Sequence, residues 1–127
     1  MGESIELAPE PSSVSAARRW SSDVLGRVDA GELADTTALL VSELVSNVVL
    51  HARTPCHLRI VRVADRVRVE VGDGSDQVPA VVPPADPLAQ SGRGLQLVDG
   101  LSADHGVELE PGGGKRIWFE LDVPGAR

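Results

Sequence analysis

The chain has 127 residues, a net charge of −7 at neutral pH, one cysteine and 42% apolar residues. That length suits one domain burying roughly two-thirds of its unfolded surface, and the acidic balance excludes a general nucleic-acid binder, which needs a basic footprint on phosphates. A lone Cys56 excludes an internal disulfide and fits a reducing compartment. No run approaches the ~20 apolar residues of a membrane span. The acidic start Met1-Gly2-Glu3-Ser4-Ile5-Glu6 lacks an apolar signal core, so the expected location is the cytoplasm.

Ser4 to Ala8 predicts a short strand with Ile5 and Leu7 on one face, broken by Pro9 and Pro11. Ser12 or Ser13 is placed to cap a helix running to about Val28, with Val14, Ala17, Trp20, Val24 and Val28 as its apolar face and Arg18 and Arg19 at its edge. Gly31 punctuates, and Asp35 is placed to cap a second helix that Pro55 stops. In that helix Ala38, Val41, Leu44, Val45, Val48 and Ala52 recur at three- and four-residue spacing. Its other face carries Glu43, Asn47 and His51 at i, i+4 and i+8, flanked by Ser42 and Ser46. Glu43 is the only ionised side chain between Thr36 and Ala52. The stripe therefore reads either as a sheltered polar site or as a lightly decorated outer face.

Two strands follow. His57 to Val63 is apolar with interspersed arginines, Ala64-Asp65 turns the chain, and Arg66-Val67-Arg68-Val69-Glu70-Val71 alternates cleanly, with three valines on one side. Arg59, Arg62, Arg66 and Arg68 form either a solvated strand face or a protein-docking surface. Periodicity is lost from Gly72 to Gly92, where Gly74, Pro79, Pro83, Pro84 and Pro87 preclude a continuous helix or a central strand. A loop of about twenty residues in so small a domain is commonly functional. A short helix is expected at Gly94–Leu101, a strand around Val107 and Leu109, a turn at Pro111–Gly114, and a closing strand over Arg116–Val123 with Ile117, Phe119, Leu121 and Val123 on one face. Helices grouped early and hairpin strands grouped late imply an α+β sandwich whose sheet is covered on one side.

Three places could carry chemistry. A carboxamide such as Asn47 offers a neutral hard oxygen suited to Mg²⁺, and Glu43, one turn away, could accept a proton from an attacking hydroxyl. Asp73 ends a strand before Gly74, where it is either a turn signal or an acceptor for an exocyclic amine. Gly92-Arg93-Gly94 opens a helix, either as a phosphate-binding N-terminus supplemented by the arginine or as a hinge. The Walker and dinucleotide patterns are absent, and His51, His57 and His105 lack metal-ligand spacing.

Taken in order, Glu43-x-x-x-Asn47 on a helix, Asp73-Gly74 after a strand, a long loop and Gly92-Arg93-Gly94-Leu95 before a helix resemble the GHKL nucleotide-binding fold. Within that superfamily the chain is similar to the bacterial anti-sigma-factor serine/threonine kinases, through Ala17-Arg18-Arg19, Ser42–Asn47 with His51-Ala52, Val69–Ser75, and Gly92–Leu95 with Leu97-Val98. The resemblance implies one Bergerat-type domain over residues 1–127, a two-layer sandwich with a mostly antiparallel sheet under about three helices and an ATP lid at about 74–93. It implies ATP and Mg²⁺ as cofactors, with Asn47 holding the metal, Asp73 reading the adenine amine and Glu43 as general base. Gly74, Gly92, Arg93, Gly94 and Leu95 would complete the ATP site, and Arg93 would reach the γ-phosphate. It further implies transfer of phosphate to a serine or threonine of a STAS-domain antagonist, binding of a sigma factor, and a homodimer, with no direct nucleic-acid or membrane partner. The alternative is a switch that binds ATP, transfers nothing, and lets partners sense the lid. Two departures stand out: Asp76 replaces a second glycine of the family's adenine motif, and Arg116 stands where relatives often have threonine, removing a hydroxyl expected near the site.

Overall fold

The computed structural model describes residues 2–75 and 97–125. The expected lid at about 74–93 falls outside the described residues from Asp76 onward, as do the expected ATP-binding positions Gly92, Arg93, Gly94 and Leu95. The architecture is the expected α+β sandwich. Strands β1 (Gly2–Leu7), β2 (Cys56–Val63), β3 (Arg66–Asp73), β4 (Asp104–Leu109) and β5 (Lys115–Asp122) form one antiparallel sheet in the order β1-β2-β3-β5-β4. Helices α1 (Ser12–Arg27) and α2 (Ala34–Asn47) cover one face, together with helical residues 97–101.

Alternation explains the layers. Leu58, Ile60, Val67, Val69, Val71, Ile117, Phe119 and Leu121 point to the helices and are buried with Ala17, Val24 and Leu25 of α1 and Leu40, Val41, Leu44 and Val45 of α2. The helical run Gly31–Ala52, at 22 residues and a mean hydropathy of 1.4, does have the length and apolarity of a membrane span. That run departs from the expectation of no such stretch; its apolar side packs into the core of the sandwich.

The helix starts differ from expectation. Neither Ser12 nor Ser13 caps α1: Pro11 holds the cap position, and buried Ser13 donates its hydroxyl to the Ala8 carbonyl at 2.6 Å. Asp35 lies in the first turn of α2 instead of capping it, because a 3₁₀ turn at Gly31–Leu33 feeds directly into the helix. The far end differs too. α-Helical bonding stops at Asn47, and Val48–Ala52 form a π turn in which the Arg53 N–H donates to the Val48 carbonyl at 2.7 Å. Left-handed Arg53 (φ 56°) closes it. The wider turn ends the stripe early: His51 is exposed, whereas Glu43 and Asn47 are half-buried.

The arginine cluster divides between the two faces. Arg62 reaches the C-terminal end of α1 and donates to the Val28 and Asp29 carbonyls at 2.8 and 2.6 Å, where partial negative charge accumulates. Arg66, Arg68 and Arg116 lie on the open face among Glu70, Glu108, Glu120 and Asp122. The Arg116 guanidinium holds the Glu108 carboxyl below its ordinary range. Arg68 sits 4.1 Å from the centroid of Trp118, a cation–π contact. That indole lies flat over Gly106, whose added Cβ would stand 2.8 Å from it. Gly106→Val should therefore lift the ring from edge strand β4 and cost about 1–3 kcal/mol by overpacking, read by urea denaturation with a changed tryptophan emission.

Candidate functional site

Asp73 closes β3 in the same inward phase as Val67, Val69 and Val71, and pairs across the sheet with Lys115, the first residue of β5 and the only lysine of the chain. Their side chains are 4% and 5% exposed. The Lys115 ammonium donates to Asp73 Oδ1 at 3.0 Å and stands 2.9 Å from Oδ2. The Ser75 N–H also donates to Oδ1, at 2.8 Å. Among the described residues Oδ1 is thus filled, and Oδ2 keeps one lone pair for a further donor. Such an arrangement suits an exocyclic amine.

Two contacts fix this strand end. Gly114 adopts φ +100°, and a Cβ there would come within 2.6 Å of the Asp73 carbonyl oxygen, so only glycine lets β5 start this close to the end of β3. The Gly74 N–H donates to Thr54 Oγ1 at 2.8 Å. Thr54 follows the π turn, so this bond ties the chain leaving α2 to the chain leaving β3. Helix α2 itself packs against β3. The Glu43–Asn47 helix and the Asp73 carboxylate therefore meet at one end of the sandwich.

Asn47 shows a specific need. Its side-chain nitrogen is buried and has no hydrogen-bond partner among the described residues. An orphaned buried amide costs about 1–3 kcal/mol unless a partner arrives. Carboxamide oxygen and nitrogen exchange places by a flip, so Asn47 can present either a donor or a metal-ligating oxygen. Glu43, one turn earlier, is half-buried on the same face. These groups fit a nucleotide and its divalent cation: a neutral oxygen for the metal, a carboxylate for a proton, and a buried acceptor for an amine.

Cys56 is buried at the start of β2, and burial together with the nearby Asp73 charge pushes its thiol up to about 12. Native protein should resist iodoacetamide at neutral pH and become labelled on unfolding in urea. Rapid native labelling, followed by mass spectrometry, would contradict the packing described.

Position 116, where relatives often carry a hydroxyl expected near the site, faces away from the Asp73 end. The Arg116 guanidinium lies 2.7 Å from Glu108 on the open face, because strand alternation sends 116 outward and 115 inward. A hydroxyl at 116 would face the same way, so this departure does not touch the Asp73 end. Lys115, Gly114 and Thr54 were not among the expected site residues. Extending the Ile117–Phe119–Leu121 alternation back by one step marks Lys115 as inward, and that was the available signal.

A sequence model of the histidine kinase-like ATPase domain matches residues 7–120, nearly the whole chain, and the protein belongs to this family of ATP-binding domains. No curated protein matches the sequence.

Proposed function

We propose that the protein is an ATP-dependent serine/threonine kinase that also acts as an anti-sigma factor, with a STAS-domain antagonist as its phosphate acceptor. One observation supports this beyond family membership: the unpartnered, buried Asn47 amide lies one helical turn after Glu43, on a helix tied to the Asp73 strand end. Bound ATP and Mg²⁺ would supply the activated phosphoryl group. Asn47 would hold the metal through its carboxamide oxygen. Asp73 would accept the adenine amine on the open lone pair of Oδ2, and Glu43 would take the proton from the acceptor hydroxyl as it attacks. In the same reading the Gly92–Gly94 segment would wrap the phosphates, Arg93 would reach the γ-phosphate, and Gly74 and Leu95 would complete the ATP site. A cytoplasmic homodimer that exchanges a sigma factor for its antagonist completes the proposal.

The test is a transfer assay with labelled ATP, Mg²⁺ and the STAS-domain protein encoded nearest to this chain. Transfer by wild type that vanishes in Glu43→Gln supports the kinase. ATP binding with no transfer by wild type supports the non-catalytic switch, and no ATP binding defeats both.

A further inference from the structure

We propose that Lys115 is a base-reading residue acting beside Asp73, so that the pair selects a purine carrying both an amine at C6 and an unprotonated ring nitrogen at N1. The inference rests on the assignment of Asp73 as acceptor for that amine.

A buried lysine is an odd choice here. Every other inward position of β5 is apolar (Ile117, Phe119 and Leu121), and replacing a buried ion pair by apolar residues is often neutral or stabilising. Packing alone therefore does not call for a charge at 115. Counting hydrogen-bonding capacity shows what the charge offers. The ammonium has three protons. Two are directed at Asp73 Oδ1 and Oδ2, at 3.0 and 2.9 Å, and the other acceptor within reach among the described residues, the Ser75 carbonyl, stands at 3.5 Å, the outer limit of a hydrogen bond. One donor is therefore poorly used, and Oδ2 keeps one open lone pair. Side by side, 2.9 Å apart, the two groups show a ligand one acceptor and one donor.

Adenine has the complementary edge: an N6 amine that donates, next to an N1 that accepts. Guanine and hypoxanthine reverse both groups, with a C6 oxygen facing the carboxylate and an N1–H facing the ammonium. A base of that kind docked in the same orientation meets two repulsions in place of two hydrogen bonds, a stronger filter than Asp73 supplies alone. The spacing is held by the backbone, since Gly114 presses the start of β5 onto the Asp73 carbonyl.

Binding of the full chain to four nucleotides with Mg²⁺ by calorimetry tests this: ATP, 1-deaza-ATP (no N1), purine riboside triphosphate (no amine) and GTP. Wild type should bind 1-deaza-ATP about 10- to 100-fold more weakly than ATP, as loss of a hydrogen bond from a charged donor requires. Lys115→Met should bind ATP and 1-deaza-ATP alike. Equal affinity of wild type for ATP and 1-deaza-ATP, with purine riboside triphosphate still weakened, overturns the role of Lys115 and leaves Asp73 standing. If purine riboside triphosphate binds as well as ATP, or ATP does not bind, the Asp73 assignment itself falls. The comparison on wild type decides the matter even where the variant does not fold.

Discussion

Asp73→Leu should destabilise the fold by about 3–5 kcal/mol, the usual consequence of leaving one charge of a buried pair uncompensated, and should abolish ATP binding. The expectation rests on burial: the Lys115 side chain is only 5% exposed and its ammonium has no acidic partner besides Asp73 among the described residues. Leucine at 73 would leave that ammonium against Val71 and Ile117, unable to regain water without disturbing the strand ends. The double variant Asp73→Leu/Lys115→Met should recover most of the lost stability, because two apolar side chains of similar volume then meet in place of the ion pair. It should not recover binding, since the carboxylate proposed to accept the adenine amine is gone. Guanidinium denaturation of the wild type, both single variants and the double variant gives the coupling energy directly. An unchanged midpoint for Asp73→Leu would mean that Lys115 reaches solvent, contrary to the packing described.

Glu43→Gln should slow phosphate transfer by about 10²- to 10⁴-fold while changing ATP affinity little. Glutamine keeps the shape and most hydrogen-bonding capacity of glutamate but cannot take a proton. The carboxylate is the one ionised group on the helical stripe and sits a turn from Asn47, so no neighbour on α2 can substitute for it. A loss confined to ATP affinity would instead make Glu43 a binding residue. Transfer at the wild-type rate would remove it from the chemistry, and single-turnover measurements separate these outcomes.

The parts of this fold that were legible in the sequence are those set by local periodicity. Val67, Val69 and Val71, and Ile117, Phe119 and Leu121, alternate because one face of each strand is buried, and the α2 stripe follows from 3.6-residue spacing. Elements set by competition or distant pairing were not legible. Ser13 looks like a helix cap, but the Ala8 carbonyl, five residues back, takes its hydroxyl. The π turn at Val48–Ala52 leaves no periodic trace, since it spans a single turn. Asp73 and Lys115 are 42 residues apart, and their meeting depends on the β3–β5 register, which single-residue patterns do not encode. For the same reason Arg116, one residue away and expected to replace a hydroxyl near the site, lies on the opposite face. Glu43, Asn47 and Asp73 were expected to share a site only through their order along the chain, which matched a family; the sequence pattern did not show that Thr54 and Gly74 link the two chain segments.

The most direct test of the account is calorimetric titration of ATP into wild type and Asn47→Ala, each with Mg²⁺ and with EDTA. In the proposed function the α2 stripe and the Asp73 strand end form one nucleotide–metal site. Wild type should then bind ATP more tightly with Mg²⁺ than with EDTA, and Asn47→Ala should lose that metal-dependent gain, about 10-fold or more in affinity, with its thermal midpoint unchanged or raised as the orphaned amide disappears. Equal ATP affinity for wild type and Asn47→Ala under both conditions would contradict the account.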